Sequence, residues 1–232
     1  MSDEHPGSRD TYDTIAQWIV PDFPYSKKDV WHRFGFLGVF ADYVLSHLQG
    51  DVLEIGVGES SIYLTVVVNK YRRRIFYCDA SPSKIINPMT IPGYIMASDE
   101  LTYLEDHDPV PETLKRGVAY AGPSDTMFKR LPITPLALAF IDGDHLYPQV
   151  ARDFHNVWPY IVDNGYVLLH DTYPANAEEC GENRSGEVWQ LRRELERNTR
   201  MDCLTLTRGT AMNAGLTIVR KRPLMSEPFQ DG

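Results

Sequence analysis

Apolar residues fall along this chain in two patterns that take turns. Short, largely apolar runs occur at Asp51–Ile55, Ile75–Cys78, Val118–Ala121, Leu136–Ile141 and Gly165–Leu169. Between them, apolar positions recur at three- and four-residue spacing. Phe36, Leu37, Phe40, Tyr43, Val44 and Leu48 lead into Gly50, while Ile62 and Val66 mark Ser60–Lys70. Val188, Leu191 and Leu195 mark Gly186–Asn198. The first pattern predicts strands buried on both faces and the second predicts amphipathic helices. Further helices are expected at Asp125–Leu131 and Pro148–Val162, and Ser81-Pro82 reads as a helix cap followed by proline in the first turn. Met201–Leu206 and Leu216–Val219, joined by a glycine-bearing loop, predict a closing antiparallel hairpin.

Greasy strands, each followed by a helix, imply an α/β fold with a doubly wound, mostly parallel sheet covered on both faces. Counting the hairpin, seven strands are expected. The polar start, residues 1–12, reads as disordered, and residues 13–232 read as a single domain. The proline- and acid-rich stretch at about 86–116 is too long for a plain connection. It reads as an insertion that covers the mouth of the site.

In such sheets ligands bind beyond the carboxyl ends of the strands, where strand order reverses. The residues following each strand are therefore informative: Gly56-Val57-Gly58-Glu59-Ser60-Ser61, then Asp79, then Gly122-Pro123-Ser124-Asp125, then Asp142-Gly143-Asp144-His145, then His170-Asp171-Thr172. Two glycines one residue apart permit a tight turn and close approach of a ligand to the backbone. A dinucleotide fingerprint wants a third glycine where Ser61 stands, and the Gly-Lys-Ser/Thr ending of a phosphate loop is missing. A carboxylate at Asp79 can accept hydrogen bonds from both hydroxyls of a ribose. A plain strand-to-helix turn and an exposed strand-end acid are the alternatives at these two places.

Composition narrows the partners. With 23 basic against 32 acidic residues the net charge is −9, which excludes nucleic acid as the main partner. No apolar run approaches the roughly 20 residues needed to span a bilayer, and no apolar signal core opens the chain. Cys78, Cys180 and Cys203 have no metal-ligand spacing and suggest no disulfide framework. The expected location is the cytoplasm, and a homodimer is the base-rate expectation for assembly.

Leu53-Glu54-Ile55-Gly56-Val57-Gly58, Asp79, Ile141-Asp142-Gly143-Asp144-His145-Leu146-Tyr147, Gly165–Thr172 and Asn213–Arg220 stand in the order found in class I S-adenosylmethionine-dependent methyltransferases. The chain most resembles those with an Ile-Asp-Gly-Asp-His motif, a group that includes O-methyltransferases of antibiotic sugars and cephalosporin-hydroxylase-like proteins. The resemblance covers about residues 33–222. It implies a Rossmann-like methyltransferase fold and S-adenosylmethionine as cofactor. Glu54, Gly56 and Gly58 would lie along its methionine and ribose side, Asp79 would bind the ribose, and Ser124 and Asp125 would border the adenine. Asp142 would lie near the methyl donor. Ser60, in the same loop, stands where the family usually has a further glycine.

The resemblance also bears on chemistry. Catechol-type O-methyltransferases carry metal ligands after their fourth and fifth strands, which implies Asp142 and Asp171, with His170 beside them, as ligands of magnesium or another divalent cation. Thr172 stands where those enzymes often have asparagine. His145 falls where they carry a lysine base, and an imidazole suits proton removal near neutral pH. Transfer to a hydroxyl of a small molecule is thus expected, with His145 and Asp142 catalytic. Metal-independent N- or C-methylation, a nicotinamide-dependent oxidoreductase and a non-catalytic binding protein are the rival readings. A His-Asp pair at a strand end can also be a structural hydrogen bond.

Overall fold

The computed structural model describes residues 31–85, 100–181, 184–207 and 214–223. Residues 1–12 lie outside this set. So does the first part of the 86–116 stretch. Helix α1 (Trp31–His47) precedes β1 (Asp51–Ile55), α2 (Ser60–Tyr71), β2 (Ile75–Asp79), β3 (Leu101–Glu105) and β4 (Gly117–Ala121). Then follow α3 (Ser124–Arg130), β5 (Leu136–Ile141), α4 (Tyr147–Val157), a 3-10 turn (Trp158–Tyr160) and β6 (Ile161–His170). Helix α5 (Val188–Glu196) leads into β7 (Met201–Leu206) and β8 (Leu216–Lys221).

These strands form one sheet in the order β3-β4-β2-β1-β5-β6-β8-β7. Strands β1 to β6 pair in parallel, whereas β8 runs antiparallel to both β6 and β7. The chain winds outward from β1 on one side and resumes at β5 on the other, so the order reverses between β1 and β5. The carboxyl ends of these two strands frame the switch point where ligands bind in open α/β sheets.

Alternation along the buried strands supplies a core to each face. Val52, Tyr77, Ala119, Phe140 and Leu168 meet α1 and α2 through Leu37, Val44, Ile62 and Leu64. Leu53, Phe76, Val118, Ile141 and Leu169 meet α3, α4 and α5 through Met127, Phe154 and Leu191. Each large apolar side chain buried in this way contributes about 1.5–3 kcal/mol. Among the described residues, no helix is long and apolar enough to cross a membrane.

The sheet corrects the sequence reading in two places. It has eight strands rather than seven, because Leu101–Glu105, inside the presumed insertion, adds β3 in parallel to β4. Residues 100–105 are thus part of the scaffold rather than a cover. Helix α4 also stops at Val157 instead of continuing to Val162, since Trp158-Pro159-Tyr160 tightens into the 3-10 turn and β6 starts at Ile161. The pairing register then jumps from Leu136–Ile161 to Leu138–Tyr166, around Asn164 at φ 65°.

Candidate active site

Three strand ends and two loops build one side of the site. Gly56 follows β1 with φ at 91°, and a Cβ placed on it would come within 2.0 Å of the Asp142 carbonyl oxygen. Only glycine lets the loops after β1 and β5 touch in this way. That contact is fastened by the Asp142 N–H donating to the Ile55 carbonyl at 2.7 Å and by the Gly56 N–H donating to Cys78 at 2.8 Å. A Cβ on Gly58, by contrast, would meet nothing within 4 Å. That glycine borders open space.

Asp79 ends β2 with both carboxylate oxygens engaged. Oδ2 accepts from the Val57 N–H at 3.0 Å and Oδ1 from the Ser81 N–H at 2.8 Å, while Lys84 Nζ stands 3.8 Å from Oδ2. Asp79 therefore ties the glycine loop to the segment after β2. An ionised carboxylate has about four acceptor sites, so capacity for a ligand remains.

Glu54 and Ser60 stand behind this wall. Glu54 is 0 % exposed, and its Oε1 accepts from Ser60 Oγ at 2.5 Å while Oε2 is buried without a partner. Burial pushes its carboxyl up to about 8, against the hydrogen bonds from Ser60 and Ser61. The hydroxyl at position 60 thus turns inward to Glu54. Neither residue lines the cavity.

That cavity, about 480 Å³, opens among the ends of β1, β2 and β4 and the start of α4. Gly56, Asp79, Ser124, Gly143, Gln149 and Asp153 are in its wall. Asp125 is not. Its Oδ1 accepts from Asn156 Nδ2 at 2.8 Å and Arg152 Nε lies 3.5 Å from Oδ2, in a separate groove between α3 and α4. Sequence reasoning missed Gln149 and Asp153. The signal was their spacing of four on α4, which puts both on one helix face.

The ends of β5 and β6 carry the second half of the site. Asp142, His170 and Asp171 each offer one ligand atom within 4.8 Å of the others. His170 Nδ1 lies 3.0 Å from Asp142 Oδ1 and 3.3 Å from Asp171 Oδ1. His145 Nε2 approaches from the other side, 3.5 Å from Asp142 Oδ1 and 3.6 Å from Asp171 Oδ2. The His145 Nδ1 pairs with the Arg184 carbonyl oxygen, so that nitrogen carries a proton and Nε2 faces the carboxylates. The Glu187 N–H, donating to the His145 carbonyl at 2.7 Å, fastens the same residue. The Phe34 ring of α1 sits 5.5 Å from the His170 ring.

Opposite charges meet in this group. Burial would raise the Asp142 carboxyl, but the His170 charge and hydrogen bonds from His145 and His170 outweigh it and hold the group at about 2. Burial likewise opposes the charged form of His170, yet Asp142 and Asp171 lift it to about 10. The hydrogen bond to Asp142 raises His145, against its own burial. Thr172 is turned away, its Oγ1 accepting from Thr217 Oγ1 at 2.9 Å in the sheet.

The family model described as a methyltransferase domain matches residues 53–172, from the glycine loop through the last acid of the cluster. The chain belongs to this methyltransferase family. By family and fold it is a class I S-adenosylmethionine-dependent methyltransferase. Among solved structures, the O-methyltransferase from Bacillus cereus, in complex with SAH (S-adenosylhomocysteine), aligns at TM-score 0.59 and 15% identity, over 95% of this chain and 94% of that one. The O-methyltransferase TomG from Streptomyces achromogenes, involved in tomaymycin synthesis and in complex with SAM (S-adenosylmethionine), aligns at TM-score 0.54 and 14% identity, over 92% and 88%. The methyltransferase MycE of mycinamycin biosynthesis, in complex with Mg, SAH and mycinamycin VI, aligns at TM-score 0.51 and 16% identity over 91% of this chain. The aligned part is 53% of MycE. A comparison with curated protein sequences gives no match.

Proposed function

We propose that this methyltransferase moves the methyl group of S-adenosylmethionine onto a hydroxyl of a small molecule. In this reading Asp142, His170 and Asp171 hold a divalent cation and His145 receives the hydroxyl's proton. The observation that carries it is the convergence of Asp142, His170 and Asp171 within 4.8 Å, next to a cavity walled by Gly56 and Asp79. The names printed for the Bacillus cereus protein and TomG favour O-methylation, and the magnesium in the MycE complex favours a cation here.

The residues fit both groups. The cavity is within the usual size range of small-ligand sites, about 300–1,000 Å³. Asp79, Asp144 and Asp153 in its wall make an acidic surround suited to a sulfonium ion. The cofactor supplies the methyl group. The two carboxylates suit magnesium or manganese, the imidazole beside them is a ligand more usual for zinc or iron, and a bound cation would make a ligated hydroxyl more acidic.

The chain's own contribution follows from the geometry. Asp79 and the Gly56–Gly58 loop hold the nucleoside end, with Glu54 fixing the loop from behind through Ser60. His170, protonated between two carboxylates, offsets one of their two charges; with Asp142 and Asp171 it would hold a cation through its neutral ring. His145 stands with Nδ1 already used by Arg184, which leaves Nε2 to take a proton at the mouth. The three free cysteines, Cys78, Cys180 and Cys203, support a reducing, cytoplasmic location.

The test is transfer of isotope-labelled methyl from S-adenosylmethionine to a panel of phenols, catechols and sugar alcohols, with chelated and magnesium-replenished protein. Labelled ethers formed only with the metal are expected. Transfer that survives exhaustive chelation would remove the cation from the account, and label on nitrogen or carbon acceptors alone would remove O-methylation.

A further inference from the structure

A second groove, which the proposed reaction leaves unused, opens between α3 and α4. Ser124 and Gln149 line the first cavity, whereas Asp125 and Arg152, on the same two helices, line this one, of about 540 Å³. That volume is within the usual range of small-ligand sites, about 300–1,000 Å³.

The wall combines flat rings with positive charge. Phe128 of α3 and Tyr160 of the 3-10 turn stack with centroids 5.8 Å apart and planes at 25°, and both are only partly buried. A further flat ring can extend such a stack. Lys129, Arg152 and His155 stand around them, all exposed. Lysine and arginine outnumber acids two to one here, in a chain where acids lead 32 to 23.

The one acid in this wall is already engaged. Asp125 Oδ1 accepts from Asn156 Nδ2 at 2.8 Å, and Arg152 Nε stands 3.5 Å from Oδ2. Arg152 Nη2 donates to Gln149 Oε1 at 2.5 Å. These contacts use at most two of the five guanidinium N–H groups. Lys129 Nζ has no hydrogen bond or ion pair among the described residues. His155 Nδ1 lies 2.6 Å from the Ala151 carbonyl oxygen, which leaves Nε2 as its other polar atom.

We propose that this groove binds a small planar aromatic acid, its ring against Phe128 and Tyr160 and its carboxylate or phosphate held by Lys129 and Arg152. A neutral ring has no use for the cations, and an inorganic anion has none for the stacked rings. A ligand carrying both features matches both parts of the wall. Arg152 offers a planar fork that pairs with either head group, and Lys129 adds a point charge. The inference stands apart from the cofactor and cation assignments, since the groove shares no lining residue with the first cavity.

Calorimetric titration of 2-naphthoate, 2-naphthyl phosphate and uncharged 2-naphthylmethanol into the full chain tests it. S-adenosylhomocysteine is kept in excess so that its own cavity is not open to the probes. Saturable binding of at least one anion, about tenfold tighter than the alcohol, is expected. A preference between the two anions names the head group. Lys129→Glu, at an exposed position, should weaken the anion by about tenfold. Tyr160→Leu, which keeps an apolar side chain but removes the ring, should weaken it by about threefold. Binding of neither anion, or of the alcohol as tightly, overturns the inference. So does an anion affinity unchanged in Lys129→Glu, which would put the probe at another cationic place. An unchanged affinity in Tyr160→Leu overturns it equally. Should circular dichroism show that Tyr160→Leu fails to fold, the Lys129→Glu result decides alone.

Discussion

The two halves of the site are held by different physics. Around the cavity, backbone groups and neutral donors do the holding: Val57 and Ser81 N–H groups fix Asp79, Ser60 fixes Glu54, and Ser124 and Gln149 fix Asp153. Around the ends of β5 and β6, charged side chains hold one another, with Asp142 and Asp171 facing His170 and His145. The first arrangement is held mostly by donors that do not titrate. The second depends on protons or a cation to balance it. The cofactor half should therefore respond to substitution through affinity, and the cluster half through pH, metal and rate.

The largest effect expected is on the cluster side. His145→Ala should slow methyl transfer by roughly 10²- to 10⁴-fold, the usual range for losing a general base. Binding of S-adenosylhomocysteine, measured by calorimetry, should change little. A large loss of that affinity would instead erase the distinction between the halves. Asp79→Ala should do the reverse. Losing charge-assisted hydrogen bonds worth about 1.5–3 kcal/mol should weaken S-adenosylhomocysteine by roughly 10- to 100-fold. Magnesium affinity, read by titration of the same variant, should stay near wild type.

How much of this was legible in the sequence differs between the halves as well. The strand ends are readable because short, largely apolar runs stop at Ile55, Cys78, Ala121, Ile141 and Leu169, so the cluster residues announce themselves by closing or following a strand directly. Strand β3 was not, because Leu101-Thr102-Tyr103-Leu104-Glu105 is an edge strand with only Leu101 and Leu104 buried, inside an acidic stretch. The α4–β6 boundary was blurred because helix-like apolar spacing continues through Trp158 and Ile161, and only the Pro159 turn breaks it. Asp125 and Asp153 show the deeper limit. Asp125 adjoins Ser124 in sequence yet the first turn of α3 sends it outward, while Asp153 reaches the cavity only through the packing of α4. A pattern along one element does not reveal the angle at which the next element meets it.

A third prediction uses the cluster's charge balance in chelated protein. The folded Asp142 carboxyl lies at about 2, below its ordinary 3.8, so its stabilising contribution is present above 3.8 and lost as pH falls through 2. His170 is raised to about 10 from 6.5, so its contribution is complete below 6.5 and lost as pH rises through 10. Thermal unfolding followed from pH 3 to pH 10 should therefore show metal-free stability declining above 6.5 on account of His170. In His170→Gln that part of the decline should vanish. A wild-type slope in the variant would contradict the charge-balance account.

The smallest effect expected concerns Glu54. Raised to about 8 from 4.5, it contributes stability below 4.5 that is lost as pH rises through 8. Glu54→Gln carries no such titration, so it should unfold at a higher temperature than wild type at pH 9, by about a few degrees, and show little advantage at pH 4. A variant that loses stability equally at both pH values would show that Glu54 is held as a charged partner instead.

The most direct test of the central claim is calorimetric titration of magnesium into protein saturated with S-adenosylhomocysteine, for wild type and for Asp171→Asn. Saturable binding of one ion in the wild type, lost in the variant while S-adenosylhomocysteine still binds, is the predicted result. No binding in the wild type, or equal binding in both proteins, would contradict the assignment of Asp142, His170 and Asp171 as a cation site beside the methyl donor.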